Sequence, residues 1–307
     1  MSSVANPVVS SAPEPSPQTR SFEVPWVSLA WFFGLLILCY GPVLARLVDQ
    51  WNTDEDMGHG FFVPAIAAYI AWQKKDELLS RTLKPNPLGI VIVLFAALQL
   101  YIGTLGAELF LARTAFVEGV IGVVLCLGGT YALRVMAFPL VVLCFMVPIP
   151  AVIYNQITFP LQLFASNVAA TVLEFIGIPV LRDGNVLELP SQKLNVVEAC
   201  SGIRSLLSLT FLSLVYGYFF DKKGWMRAAL FAATVPIAIL ANAARVTLTG
   251  VMSEYNPEWA HGTAHTAQGW VIFMIALFMM VVTHTVINRI YRMFHRSAPA
   301  TSKDAHA

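Results

Sequence analysis

The chain alternates long apolar runs with short polar connections. Runs near 26–45, 58–73, 87–107, 110–129, 133–152, 202–220, 226–251 and 268–288 carry few charges. Each approaches the ~20 residues that a helix needs to cross a bilayer, so the pattern predicts about eight transmembrane helices. Segment 157–180 differs. Thr158, Gln162, Ser166, Asn167, Thr171 and Glu174 recur along it every few positions, which predicts an amphipathic helix lying in the membrane interface. After it, 184–189 and 194–196 flank a turn over 190–193 and alternate in part, which predicts a short strand-turn-strand. Residues 1–25 are rich in Ser, Pro and Ala. Their first basic residue is Arg20 and the first apolar run begins only at Trp26, so they read as a disordered tail rather than a signal peptide.

Composition excludes the other classes. Of the 307 residues 12% are charged, about half the ~25% of an ordinary soluble chain, and 57% are hydrophobic. The mean hydropathy is +0.68. Four cysteines are too few for a disulfide scaffold, and Cys39, Cys126 and Cys144 lie inside apolar runs. A net charge of +1 suggests no nucleic-acid partner. The expected fold is an all-α polytopic membrane protein whose one obligatory partner is the lipid bilayer.

Basic residues orient it. Lys74, Lys75, Arg81 and Lys84 form one loop, Lys222, Lys223 and Arg227 a second, and Arg289, Arg292, Arg296 and Lys303 the C-terminal tail. All fall on the cytoplasmic side if 157–180 stays on the outer face; if that segment crossed, Lys222 and Lys223 would land outside. The chain then divides into a cytoplasmic tail, 1–25, a transmembrane domain, 26–290, and a basic cytoplasmic tail, 291–307. Segment 181–200 and loop 252–266 share the outer surface.

Ionisable groups within a membrane are costly and mark function by default. Arg245 lies in the outward third of its run, with Asn242 three positions earlier on the same helix face. An Arg so near a helix end can instead snorkel to the headgroups. Cys200 alone among the cysteines lies outside an apolar run, at the N-terminus of a span, with Arg204 one turn on. Helix N–H groups and a nearby Arg favour the nucleophilic thiolate; a lone Cys is otherwise a small buried hydrophobe. His265 opens the last span. Topology places Cys200, Arg245 and His265 at the outer boundary although each comes from a separate span. A thiol, a fixed cation and a proton donor are the parts of acyl transfer. His59, in the 57–60 loop before the second span, either faces this site or is solvated. His261 and His265 have the spacing of a zinc pair, but no Glu follows His261 and Gly262 weakens the helix. No metal and no cofactor are expected.

At these residues the chain resembles the exosortase/archaeosortase family of polytopic membrane cysteine transpeptidases. The likeness rests on Glu198-Ala199-Cys200-Ser201-Gly202-Ile203-Arg204-Ser205-Leu206, on Asn242-Ala243-Ala244-Arg245-Val246, and on His265 four before Gly269-Trp270. The His59-Gly60 loop is similar to the family's Ser-His-Gly, with Gly58 in place of Ser. The resemblance covers about 50–290. It implies a catalytic Cys200, Arg245 and His265, supported by Arg204, Asn242 and His59. It implies membrane-tethered protein substrates with a C-terminal sorting tail: a Pro-Glu-Pro-like motif, a membrane helix and basic residues. It also implies a bacterial inner-membrane location with the site on the periplasmic face, and a link to extracellular polysaccharide. The rival expectations are a non-catalytic component of exopolysaccharide export, which would tolerate loss of Cys200, and a small-molecule transporter, which needs charges converging at the midplane.

Overall fold

The computed structural model describes residues 26–196, 202–260 and 262–295. Ten α-helices and three short strands occupy them: α1 (Trp26–Thr53), α2 (Phe62–Gln73), α3 (Lys75–Leu79), α4 (Leu88–Leu105), α5 (Leu109–Val135), α6 (Ala137–Cys144), α7 (Ala151–Phe175), β1 (Leu181–Asp183), β2 (Val186–Glu188), β3 (Lys193–Asn195), α8 (Gly202–Phe220), α9 (Gly224–Tyr255) and α10 (Gly262–His295). Among the described residues five helices are long and apolar enough to cross a membrane: α1, α4, α5, α9 and α10.

The runs 58–73 and 133–152 were expected as full spans, but their helices, α2 and α6, have 12 and 8 residues. Each is completed by other backbone: a 3-10 helix at Glu55–Phe61 before α2, and 145–150 after α6. Such backbone is tolerated at membrane depth where protein supplies its partners. The Trp51 indole N–H donates to the Met146 carbonyl at 3.1 Å. Around that bond Leu47, Met57, Val63, Ile70, Val142 and Phe211 form one buried cluster that ties α1, α2, α6 and α8 together.

α4 and α5 form a hairpin with close backbone contact. A Cβ on Gly103 would lie 2.8 Å from the Ala112 nitrogen. Small residues let helices approach in this way where no hydrophobic drive exists between them. α5 kinks at Gly129, whose φ of 68° is left-handed and whose Cα faces the Lys84 carbonyl.

α7 buries one face against the rest of the protein. That face is Thr158, Ala165, Ser166, Ala169, Ala170 and Leu173, whereas Ile157, Phe159, Phe164, Val172 and Phe175 are exposed. Small residues meet protein together with Thr158 and Ser166, while Asn167, Thr171 and Glu174 of the polar stripe are exposed with the apolar residues. Periodicity alone reports that two faces differ, not which of them is solvated. Ser166 Oγ donates to the carbonyls of Leu163 and Gly184, at 2.9 and 3.0 Å.

The segment after α7 holds three antiparallel strands in the order β1-β2-β3. Leu187 pairs with Leu194 across β2 and β3. Both are buried, with Val196, in a cluster that also contains Ala169 and Leu173 of α7 and Ala243 and Val246 of α9. Ser191, in the β2–β3 turn, donates through its N–H and hydroxyl to Glu254 Oε1, at 3.1 and 2.6 Å. The sheet is thereby fastened over the C-terminal part of α9. A third cluster joins Leu209 of α8, Ile237, Ala238 and Ala241 of α9, and Ile272, Ala276 and Met280 of α10.

Candidate active site

Arg245 and Asn242 lie on the α9 face that packs against α10, and both are buried, at 7% and 6% exposure. Arg245 does not snorkel: its Nη2 lies 3.1 Å from His265 Nε2. A guanidinium only donates, so Nε2 accepts and the ring proton sits on Nδ1. His265 belongs to the first turn of α10, which begins six residues before the apolar run and leaves only a 3-10 turn, Pro257–Ala260, beyond α9. The loop expected over 252–266 is mostly helix for that reason.

Two further polar residues complete the contact. Gln268, one turn after His265, donates through Nε2 to the Arg245 carbonyl at 3.1 Å. Its Oε1 accepts from Thr249 Oγ1 at 3.0 Å. Gly269 lies beneath the guanidinium; a Cβ there would stand 3.0 Å from Nη2 and 3.2 Å from Cζ. Gln268 and Thr249 escaped the sequence reading, although spacing held the signal: Thr249 is four residues after Arg245 and Gln268 three after His265, so each shares its neighbour's face. Asn242 Oδ1 is buried with no hydrogen-bond partner among the described residues.

Cys200 lies outside the described residues, and so does the side chain of Arg204. The flanking chain is placed. Val196, fully buried, donates its amide N–H to the Asn185 carbonyl at 3.0 Å and packs in the cluster containing Ala243 and Val246. α8 resumes at Gly202.

His59 is not solvated. It is 9% exposed, in the 3-10 helix before α2. Its Nδ1 is 3.4 Å from Ser208 Oγ, and its ring is 5.8 Å from that of Phe211, centroid to centroid. The position of His261 lies outside the described residues.

A bundle of apolar helices with a cation and an imidazole brought together near one end defines a multi-pass membrane protein with an ionisable site. The model of one family, transmembrane exosortase (Exosortase_EpsH), matches residues 51–282, and the chain belongs to that family, whose members have a membrane processing or transpeptidase role. No curated protein and no solved structure shows a significant match.

Proposed function

We propose that the protein is a membrane cysteine transpeptidase or processing peptidase acting on exported proteins with a C-terminal sorting tail. The observation that supports this best is the buried Arg245–His265 contact, 3.1 Å between Nη2 and Nε2, beside the α9 turn on which Val196 packs. Cys200 is four positions after Val196, a reach of at most ~14 Å.

In this reading His265 Nε2, an acceptor at rest, takes the thiol proton of Cys200. The thiolate attacks the backbone carbonyl at the sorting motif, forming a C–S bond. Arg245 stabilises the oxyanion. The C–N bond then breaks, the leaving amine takes the proton back from His265, and a thioester remains on Cys200. A second nucleophile releases the acyl group: an acceptor amine or hydroxyl gives transpeptidation, water gives proteolysis. Asn242 Oδ1, one turn deeper on the Arg245 face, is placed to accept a substrate N–H. Arg204 and the N-terminus of α8 favour the thiolate. The membrane-tethered tail, with its Pro-Glu-Pro-like motif, helix and basic residues, would present its scissile bond at the sheet end of the bundle.

The chain is assigned to a bacterial inner membrane, with eight crossings counting α2, α6 and α8, α7 on the outer side, both tails cytoplasmic and the site periplasmic. The link to extracellular polysaccharide follows the family resemblance.

The test is cleavage of a tail-bearing substrate in cells expressing wild type, Cys200→Ala or Cys200→Ser at matched abundance. Both variants are expected to leave the tail uncleaved. Wild-type processing by Cys200→Ala would overturn the proposal in favour of a non-catalytic component.

A further inference from the structure

The geometry points to Gln268 as a positioning residue that sets the register of α10 on α9 and so brings Arg245 and His265 together; the inference rests on the catalytic reading above. Gln268 is 6% exposed and uses both ends of its amide. Nε2 donates to the Arg245 carbonyl, and Oε1 accepts from Thr249 Oγ1. The amide orientation is fixed by that environment. Reversed, it would set its oxygen against the Arg245 carbonyl oxygen.

The threonines of α9 show what is unusual here. Thr234 and Thr247 donate to the carbonyls four residues earlier, Leu230 and Ala243, each at 2.9 Å. This is the ordinary habit of a helical hydroxyl. For Thr249 the carbonyl four residues earlier is that of Arg245, and Gln268 bonds it instead. The amide is thus inserted between a hydroxyl and a carbonyl of one helical turn, and that turn carries Arg245. A one-turn slip of α10 would leave a buried carbonyl without its second donor and a buried hydroxyl without its acceptor. In a low-dielectric interior such losses are costly.

The consequence reaches the guanidinium through the next residue. Gly269 presents a bare Cα to it, so the register that seats Gln268 also seats Arg245 between the Gly269 backbone and His265 Nε2. A long, flexible Arg side chain loses less freedom on reaching the transition state when its resting place is already defined. Loss of Gln268 is therefore expected to lower kcat more than it raises KM.

The test uses the full chain in membranes with a tail-bearing peptide substrate and compares Gln268→Leu, Gln268→Glu and Thr249→Val. Gln268→Leu should lower kcat about 10- to 100-fold, the cost of a misplaced catalytic group, with KM little changed. Thr249→Val should lose less, and the double variant should be no worse than Gln268→Leu, because the two share one relay. Gln268→Glu supplies the readout that a merely structural role would not move. A neutral carboxyl still accepts from Thr249 and donates to the Arg245 carbonyl, whereas a carboxylate cannot donate. Its activity relative to wild type should rise as pH falls, while that of Gln268→Leu stays flat. Wild-type kcat in Gln268→Leu, or a pH-independent ratio for Gln268→Glu, would overturn the inference.

A second measurement separates this from the catalytic reading. In Cys200→Ala protein, the nitrogen NMR signal of the His265 ring, assigned against His265→Asn, should move when Gln268→Leu is added. If Cys200→Ala cleaves like wild type, the catalytic reading falls, and with it the role proposed here. If Cys200→Ala is inactive and Gln268→Leu leaves the His265 signal in place, the positioning role falls alone.

Discussion

The helices α8, α9 and α10 bury polar residues at both ends, and the two ends are built on opposite principles. At the end away from the sheet, His284 is 7% exposed and Asp221 8%. His284 Nε2 donates to Asp221 Oδ2 at 3.3 Å, its Nδ1 accepts from the Tyr216 hydroxyl at 3.0 Å, and the Asn288 amide lies 2.8 Å from Nε2. Asp221 Oδ1 accepts from the Lys223 N–H at 2.8 Å, and Arg227 Nε donates to the Asp221 carbonyl at 2.8 Å. An acid faces a base in this cluster. Such an arrangement closes the α8–α9 turn onto α10. At the sheet end, about 27 Å along α9 from Arg227 to Arg245, an imidazole lies against the cation. Ionisable groups gathered at one end of a membrane bundle mark a place where chemistry is done.

Breaking each end should have different consequences. The largest effect is expected at the sheet end. Arg245→Ala should reduce tail cleavage about 10²- to 10³-fold, the usual cost of one oxyanion donor, at unchanged protein level. Arg245→Lys should lose most of that activity too, because a buried Lys gives up its proton where Arg does not. Cleavage assays with abundance matched by blot measure both. Normal cleavage in Arg245→Ala would erase the functional half of the contrast.

At the far end Asp221→Ala should act on stability instead, by about 1–3 kcal/mol for the unpaired buried groups it leaves. Thermal unfolding in detergent measures this, and cleavage per folded molecule should be unchanged. Burial raises the Asp221 carboxyl, but the Lys223 N–H, the His284 bond and the Lys223 charge outweigh it and hold the group below its ordinary 3.8. A depressed acid stabilises the fold above its unfolded value. The wild type should therefore lose this contribution as pH falls below about 3.8 through the folded value, and Asp221→Ala should lack that slope.

His59 sharpens the contrast with the smallest expected effect. His59→Ala should cost about 0.5–1.5 kcal/mol of stability, since Ser208 loses a hydrogen-bond partner and Phe211 a ring neighbour. Thermal unfolding in detergent measures this, and an unchanged midpoint would mean that the ring adds nothing to its pocket.

Much of this was legible before any coordinates. Apolar runs fixed where α1, α4, α5, α9 and α10 lie, because length and hydropathy suffice for a helix that faces lipid. The shared face of Asn242 and Arg245 follows from helical spacing alone. The family's motifs identified Cys200 through sequence, and Cys200 still rests on sequence, lying outside the described residues.

Other features depended on contacts between segments far apart in the chain. Which α7 residues are buried was decided by the neighbours they meet, since Thr158 and Ser166 lie against protein while Asn167, Thr171 and Glu174 of the same stripe are exposed. The half-length of α2 and α6 was set by partners such as Trp51, which supplies a donor to backbone that would otherwise need a helix. The far-end cluster joins Tyr216, Asp221 and His284 across more than sixty positions. At the sheet end, sequence determined that a cation and an imidazole lie near one boundary. Only the antiparallel packing of α9 on α10, held by Gln268 between Thr249 and the Arg245 carbonyl, decided that they touch. Local spacing determines which face of a helix a residue occupies, whereas the side chain opposite it is chosen by the register of a neighbour that the same spacing does not encode.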